Sequence, residues 1–170
     1  PVLAVAINHH MTMRGHFHRL RYSPALRFTV CGAIAYTMVS LQGSFEALKD
    51  FNEVTHFTHY TVAHAHLGAY GFATMILFGL FYYMIPRLTG REWASPMLIR
   101  VHFWCAAVGI TVYFAALSIG GWWQGRMMNN PDVPFGKIVV YLQPHLFTRS
   151  LAGVLLTTGH VAFAISFVMN

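Results

Sequence analysis

Two histidines separated by one residue, His64 and His66, are the most informative chemical feature of the sequence. They lie within a long apolar stretch, where an ionisable side chain is costly and points to a function. Residues of an α-helix advance by about 100° each, so this spacing places the two rings about 200° apart, on opposite faces. One metal ion cannot be chelated by both, because that needs neighbours at i,i+3 or i,i+4. Each imidazole can instead be the axial ligand of a separate planar cofactor, and haem fits this description.

The surroundings of the pair leave room for a large flat ring. Four small residues flank the histidines: Ala63, Ala65, Gly68 and Ala69. The pattern alone keeps an alternative open, in which both imidazoles are hydrogen-bonded core side chains of a helix bundle. His102 and His160 occur singly in other apolar stretches, and for these we favour a structural role over a proton path. His56 precedes the pair, where it either meets water or reaches an anionic group such as a haem propionate.

The helices that must position these histidines are those of a membrane protein. Hydrophobic residues make up 56% of the 170 residues and charged residues only 9%, against roughly 25% in soluble domains. This composition excludes a soluble domain, a disordered tail and a nucleic-acid-binding module. A bilayer needs about 20 apolar residues per helix, and four stretches qualify: residues 24–44, 60–85, 97–122 and 147–168. Over residues 1–170 we predict an all-α membrane helix bundle of four complete transmembrane helices, preceded by the end of a fifth.

The basic residues are divided unequally between the two ends of these helices. We call side A the side that holds the start of the first helix and residues 86–96, and side B the opposite side. Side A has seven arginines: Arg14, Arg19, Arg21, Arg27, Arg87, Arg91 and Arg100. Side B has four basic residues, Lys49, Arg126, Lys137 and Arg149. Since cytoplasmic loops carry the excess of Lys and Arg, side A is predicted to face the cytoplasm.

The segment around the pair resembles a known family of membrane enzymes. FNEVTHFTHYTVAHAHLGAYGF is similar to the tenth-helix region of the catalytic subunit of C-family haem–copper oxidases, the cbb3-type cytochrome c oxidases. The likeness continues in the family's order through FGLFYYMIPRLTGREW, HFWCAAVGITVYFAALSIGGWWQG and PHLFTRSLAGVLL. Because the likeness covers nearly the whole chain, the chain resembles the C-terminal third of this twelve-helix subunit.

The resemblance implies a role for each residue of the site. His64 is expected to be the proximal ligand of a high-spin haem b, and His66 an axial ligand of a low-spin haem b. Asn52 and His56 are expected to lie at the haem propionates. The copper ligands and the second axial ligand of the low-spin haem belong to earlier helices of the subunit, so this chain is not expected to be active alone.

The resemblance also implies an activity and a place in the cell. A respiratory terminal oxidase passes electrons from membrane-anchored c-type cytochrome subunits through the low-spin haem to a haem–copper site. There it reduces oxygen to water and couples the reaction to proton translocation. The expected location is the bacterial inner membrane, with several spans in contact with lipid and with the rest of the catalytic subunit.

One departure from the family's pattern keeps other functions open. Many members have Glu-Gly-Pro ahead of the H-x-H helix, whereas this chain has Gln42-Gly43-Ser44. A nitric oxide reductase large subunit, which shares the fold and the haem pair, is therefore an alternative. A membrane cytochrome b that only transfers electrons is a second alternative, although such proteins usually place paired ligands on two helices.

Overall fold

Residues 2–170 are described by a computed structural model, and within this range the chain is helical and has no β-strand. The helices are α1 (Val2–Met13), α2 (Pro24–Glu46), α3 (Lys49–Thr55), α4 (His59–Thr89), α5 (Pro96–Met128) and α6 (Phe135–Val168), with a short 3₁₀ helix at Phe17–Arg21. Four of these, α2, α4, α5 and α6, are long and apolar enough to cross a membrane. The predicted all-α bundle with four transmembrane helices is confirmed, and α1 lies where the sequence predicts the end of a fifth.

Neighbouring spanning helices run antiparallel, as their close contacts show at both ends. Gly79 of α4 lies against Thr29 near the start of α2, and Gly43 near the end of α2 lies against His64 near the start of α4. Helix α5 packs against α6 and against the first turns of α4. Residues 47–58 and 90–95 therefore lie at opposite ends of the bundle, on side B and side A, as the succession of predicted spanning helices requires.

Two Ser-Pro pairs begin helices on side A. The Ser23 hydroxyl accepts a hydrogen bond from the Leu26 backbone N–H at 3.3 Å, and the Ser95 hydroxyl accepts one from Leu98 at 3.4 Å. Each serine satisfies an N–H that the helix itself cannot pair, and proline is favoured in the first turn because its fixed φ suits the helix. The starts of α2 and α5 are therefore fixed locally by the sequence.

Helix α4 ends later than the sequence predicts. It continues through Pro86 to Thr89 and ends at Gly90, whose φ of 70° is left-handed. Because proline has no N–H, the Tyr82 carbonyl, one turn earlier, loses its helical partner. The indole Nε1 of Trp93 donates to this carbonyl instead, at 3.3 Å. The segment that follows α4 thus replaces the missing hydrogen bond, and the helix does not need to stop.

Helix α6 begins at Phe135, so the predicted start near residue 147 is wrong. Ile138 and Leu142 are both buried, and their spacing puts them on one face of a helix. This face holds the early turns against the bundle although Pro144 lies within them. His145, which the sequence places at a loop–helix junction, is inside α6 and packs against Gly120 of α5.

Candidate haem-ligand site

His64 and His66 lie near the side B end of α4 and leave it towards different neighbours. The His64 ring lies over α2, where a Cβ added at Gly43 would be 3.0 Å from its Cε1 atom. The His66 ring lies beside α5, stacked on Tyr113 with the ring centroids 4.7 Å apart. The two imidazoles therefore occupy opposite faces of the helix, as their spacing predicts. Glycine at position 43 is what allows the His64 ring to approach α2 so closely.

The His66 ring is held by its own helix. Its Nδ1 lies 2.9 Å from the backbone carbonyl of Val62. A carbonyl can only accept, so Nδ1 carries the proton and Nε2 keeps its lone pair in the neutral ring. That lone pair accepts from the Tyr113 hydroxyl at 3.2 Å, and the residue is exposed. His66 thus presents an oriented Nε2 on the open side of α4.

The His64 ring is paired with a carboxylate. Its Nδ1 lies 3.6 Å from Oε2 of Glu46, the last residue of α2, and the two side chains are 30% and 14% exposed. Among the described residues this Nδ1 is buried without a hydrogen-bond partner. The nearby carboxylate favours the proton on Nδ1, which leaves Nε2 as the electron-pair donor. Glu46 was not singled out from the sequence, because its approach to His64 depends on how α2 and α4 pack.

Both histidines therefore fit the requirements of an axial haem ligand. In His66 the Val62 carbonyl holds Nδ1, and such a partner fixes the orientation of a ligating imidazole and raises its basicity. In His64 the nearest protein oxygen atom, Oε2 of Glu46, lies 3.6 Å from Nδ1, which is beyond hydrogen-bond distance. No group of three or more His, Cys, Asp or Glu side chains within residues 2–170 is placed to hold a metal ion. Because the two rings lie on opposite faces of α4, each histidine would be a single ligand to a separate iron.

A π-helical segment, Leu67–Thr74, follows the pair directly. The Thr74 hydroxyl donates to the Ala69 carbonyl at 2.9 Å, five residues back, which is the spacing of this wider helix. Such segments are rare and frequently lie at functional sites. The extra residue per turn rotates the rest of α4 relative to His64 and His66. Nothing in the local sequence predicts this, since LGAYGFAT is compatible with an ordinary α-helix.

The start of α4 is braced by a glutamine of α5. The Gln124 Oε1 atom accepts from the His59 backbone N–H at 2.9 Å and from His59 Nδ1 at 2.8 Å. The two glycines beside it, Gly121 and Gly125, let α5 come so close that a Cβ at either would overlap the backbone at Tyr60 or Val54. The residues of this G-x-x-Q-G pattern therefore form the contact between α5 and the start of α4, and this contact positions the helix that carries both histidines.

Replacing Gln124 with leucine should loosen this brace. The variant loses two hydrogen bonds and leaves the helix-start N–H of His59 without its partner, so we expect the free energy of unfolding to fall by about 1–3 kcal/mol. Chemical denaturation of the complete subunit in detergent measures this. Gln124→Glu keeps an acceptor at the same place and is the matched control. Equal stability of the leucine variant and the wild type would contradict the assigned role.

Asn52 and His56 lie on side B, in α3 and in the turn that follows it. The Asn52 amide donates to the backbone carbonyl of Glu46 at 2.9 Å and so ties α3 to the end of α2. His56 is exposed, and its ring centroid lies 3.8 Å from that of Phe57, a residue with a left-handed φ of 60°. Both residues are thus placed at the side B end of α4, the helix that carries His64 and His66, and their contact with propionates stays a prediction.

The two single histidines are hydrogen-bonded to tyrosines of α4. His102 is fully buried and its Nδ1 lies 2.8 Å from the Tyr82 hydroxyl. His160 Nε2 lies 2.8 Å from the Tyr70 hydroxyl. The ring of His102 is also enclosed by Phe28 and by other aromatic side chains. These contacts agree with the structural role that we favour for both residues.

The comparisons with known proteins agree on one family. Residues 1–155 match the family described as cytochrome c and quinol oxidase polypeptide I. A cytochrome c oxidase subunit 1 homolog of Agrobacterium tumefaciens is 34% identical over 96% of this chain and 32% of its own length. The cbb3-type cytochrome c oxidase subunit CcoN1 of Stutzerimonas stutzeri is 33% identical over 93% of this chain and 35% of its own length.

More distant matches show the same fold. A solved structure of a haem–copper terminal oxidase dimer superposes with a TM-score of 0.70 at 21% identity, over 96% of this chain and 31% of that chain. A nitric oxide reductase subunit of Stutzerimonas stutzeri is 27% identical over 78% of this chain and 30% of its own length. The chain thus spans about a third of the length of the curated relatives that it matches. It belongs to the cytochrome c and quinol oxidase polypeptide I family.

Proposed function

We propose that this chain is the haem-bearing, C-terminal part of the catalytic subunit of a respiratory terminal oxidase that reduces oxygen to water. The observation that carries this proposal is the arrangement of His64 and His66. One helix presents two imidazoles on opposite faces, and in each the Nδ1 atom lies near a protein oxygen atom, at 3.6 Å for His64 and 2.9 Å for His66. A protein that joins two haems through one rigid element needs this arrangement.

Each histidine has a distinct role in the proposal. His66 would bind a low-spin haem b, with its ring orientation set by the Val62 carbonyl. His64 would bind a high-spin haem b as proximal ligand, with Glu46 beside its Nδ1. Bound haem supplies reversible one-electron chemistry and, where an axial position is open, a site for a gaseous substrate. Because one residue separates His64 and His66, α4 would hold the two haems rigidly relative to each other.

The remaining parts come from outside this chain. Copper, the second ligand of the low-spin haem and the proton route would belong to the rest of the catalytic subunit. Electrons would arrive from membrane-anchored c-type cytochrome subunits on side B, the side to which the histidine pair lies nearer. With side A in the cytoplasm, this side faces the outer compartment of the bacterial inner membrane.

A second candidate is a nitric oxide reductase of the same superfamily. Gln42 replaces the glutamate that many cbb3-type members have, and it is buried in α2 one turn before Glu46. The match to a nitric oxide reductase adds support. The purified complete complex, supplied with reduced cytochrome c, should consume oxygen at least about tenfold faster than nitric oxide. Faster consumption of nitric oxide would favour the second candidate.

His56 gives a prediction for the propionate side of the site. We expect His56→Ala to retain both haems and to lower one haem midpoint potential by on the order of 50 mV, because an uncompensated propionate carboxylate stabilises ferric iron. A spectroelectrochemical titration of the complete subunit measures both potentials. His18→Ala, which removes an exposed histidine on side A, should change neither. Two unchanged potentials in His56→Ala would contradict the predicted contact.

A further inference from the structure

A cleft opens on side A between the first turns of α2 and α5. Its volume is about 450 Å³, and arginines from three places line it: Arg21, Arg27 and Arg100. Tyr22, Trp93 and the carboxylate residue Glu92 complete the wall. We call this the side A cleft. It lies at the opposite end of the bundle from the histidine pair and belongs to no part of the proposed haem site.

None of the three arginines of the side A cleft forms an ion pair with a carboxylate in the described part of the chain. The only ion pair within 4.0 Å among residues 2–170 is that between His64 and Glu46. Glu92 is therefore too far from the three guanidinium groups to pair with any of them. Even if Glu92 is counted as one full negative charge, the three arginines leave the cleft with a net positive charge. Like charges gathered in one cleft repel each other, so the arrangement favours an anion between them.

Arg27 is the best-defined member of this group. Its guanidinium carbon lies 5.6 Å from the centre of the Phe103 ring, which orients the side chain towards α5. Its Nε atom is buried and has no hydrogen-bond partner among the described residues. A buried donor of this kind is costly unless an acceptor reaches it. A surface arginine that only sets membrane topology would keep all its donors in water.

Two helix starts add to the positive potential. Pro24 and Pro96 both line the cleft, and they are the first residues of α2 and α5. The unpaired N–H groups at a helix start carry about half a positive charge and attract anions. Here they supplement three arginines, one of which has an unpaired buried donor. All of these features point to a ligand with concentrated negative charge, such as a phosphate group.

The location of the cleft indicates where the phosphate comes from. Tyr22 and Trp93 are residues of the kind that mark the level of the lipid headgroups. The cleft is formed by the first turns of α2 and α5, two helices long and apolar enough to cross a membrane. It therefore lies where the spanning helices meet the headgroup layer, and a phospholipid phosphate occupies that layer.

We propose that the side A cleft binds the headgroup phosphate of an anionic phospholipid. Arg27 and Arg100 approach the phosphate from two helices, and Arg21 adds charge at the rim. Charge-assisted hydrogen bonds from guanidinium to phosphate are stronger than neutral ones. Such a lipid would join α2 and α5 at their side A ends. The proposal does not depend on whether the reduced gas is oxygen or nitric oxide.

Native mass spectrometry of the complete subunit in detergent tests this, with phosphatidylglycerol, phosphatidylcholine and inorganic phosphate as separate probes. The wild type should bind one phosphatidylglycerol at least about tenfold more tightly than phosphatidylcholine, and millimolar phosphate should not displace it. The double variant R27Q/R100Q should lose at least about tenfold in affinity for phosphatidylglycerol. R14Q/R19Q removes the same charge from side A outside the cleft, and its affinity should stay within about twofold of the wild type.

Other results would overturn the proposal. If both double variants weakened lipid binding equally, the effect would be a general electrostatic attraction by side A. If the two lipids bound equally well, the cleft would not recognise the anionic headgroup. Displacement of the lipid by inorganic phosphate would make the cleft a free-phosphate site. The variant R27K/R100K keeps both charges and should retain most of the affinity. If R27Q/R100Q fails to assemble, Arg100→Gln alone, at an exposed position, should still weaken binding, and an unchanged affinity would refute the proposal.

Discussion

Replacing His64 and His66 one at a time should remove two different haem signals from the complete subunit. His64→Ala should lose the five-coordinate, carbon-monoxide-binding haem and all turnover, while much of the low-spin signal remains. His66→Ala should lose the low-spin signal instead. The reason is geometric, because the two rings leave α4 on opposite faces and contact different helices. Optical and carbon monoxide difference spectra of the reduced proteins measure both signals.

Two further variants make this comparison specific to the ligands. His102→Ala and His160→Ala also remove imidazoles from the bundle, but each of these side chains is bonded to a tyrosine of α4. They should retain both haem signals, at the cost of some stability. If His64→Ala and His66→Ala lose the same spectral component, the assignment of one haem to each face is wrong.

Adding a single methyl group at Gly125 should prevent the subunit from assembling. A Cβ at this position would overlap the carbonyl group of Val54, and a backbone carbonyl cannot move aside as a flexible side chain does. The segment from α3 to the start of α4 would have to shift, and the helix that carries the histidine pair would shift with it. We expect Gly125→Ala to cost about 3 kcal/mol or more, although alanine is the better helix former.

A matched substitution separates packing from helix propensity. A Cβ at Gly153, in the middle of α6, would meet no atom within 4 Å. Gly153→Ala should therefore be neutral or slightly stabilising, by up to about 1 kcal/mol. Haem content per polypeptide and the yield of intact subunit from membranes report both results. Normal haem content in Gly125→Ala would show that the contact between α5 and the start of α4 is not needed.

Local chemistry explains what could be predicted from the sequence. Ser23-Pro24 and Ser95-Pro96 begin their helices where predicted, since an N-cap hydroxyl and a first-turn proline act within one turn of the chain. The opposite faces of His64 and His66 follow from the helical repeat alone. The placement of residues 47–58 and 90–95 at opposite ends of the bundle follows from the alternation of spanning helices along the chain. None of these depends on how helices distant in sequence pack together.

What could not be predicted depends on contacts between helices. Pro86 does not end α4 because Trp93 folds back to its freed carbonyl, and Pro144 is tolerated because Ile138 and Leu142 are buried on one face. The pairing of His64 with Glu46 and the brace from Gln124 need the packed structure to be seen. The sequence shows Gly121, Gln124 and Gly125 close together, but not which element they contact.

The central claim is that α4 carries one ligand for each of two different haems. Its most direct test is the number of haems b per complete subunit, together with the fraction that binds carbon monoxide after reduction. We predict two haems b per subunit, one six-coordinate and low-spin and one five-coordinate that binds a single carbon monoxide. Two low-spin haems that do not bind carbon monoxide would contradict the claim and would identify the protein as a membrane cytochrome b.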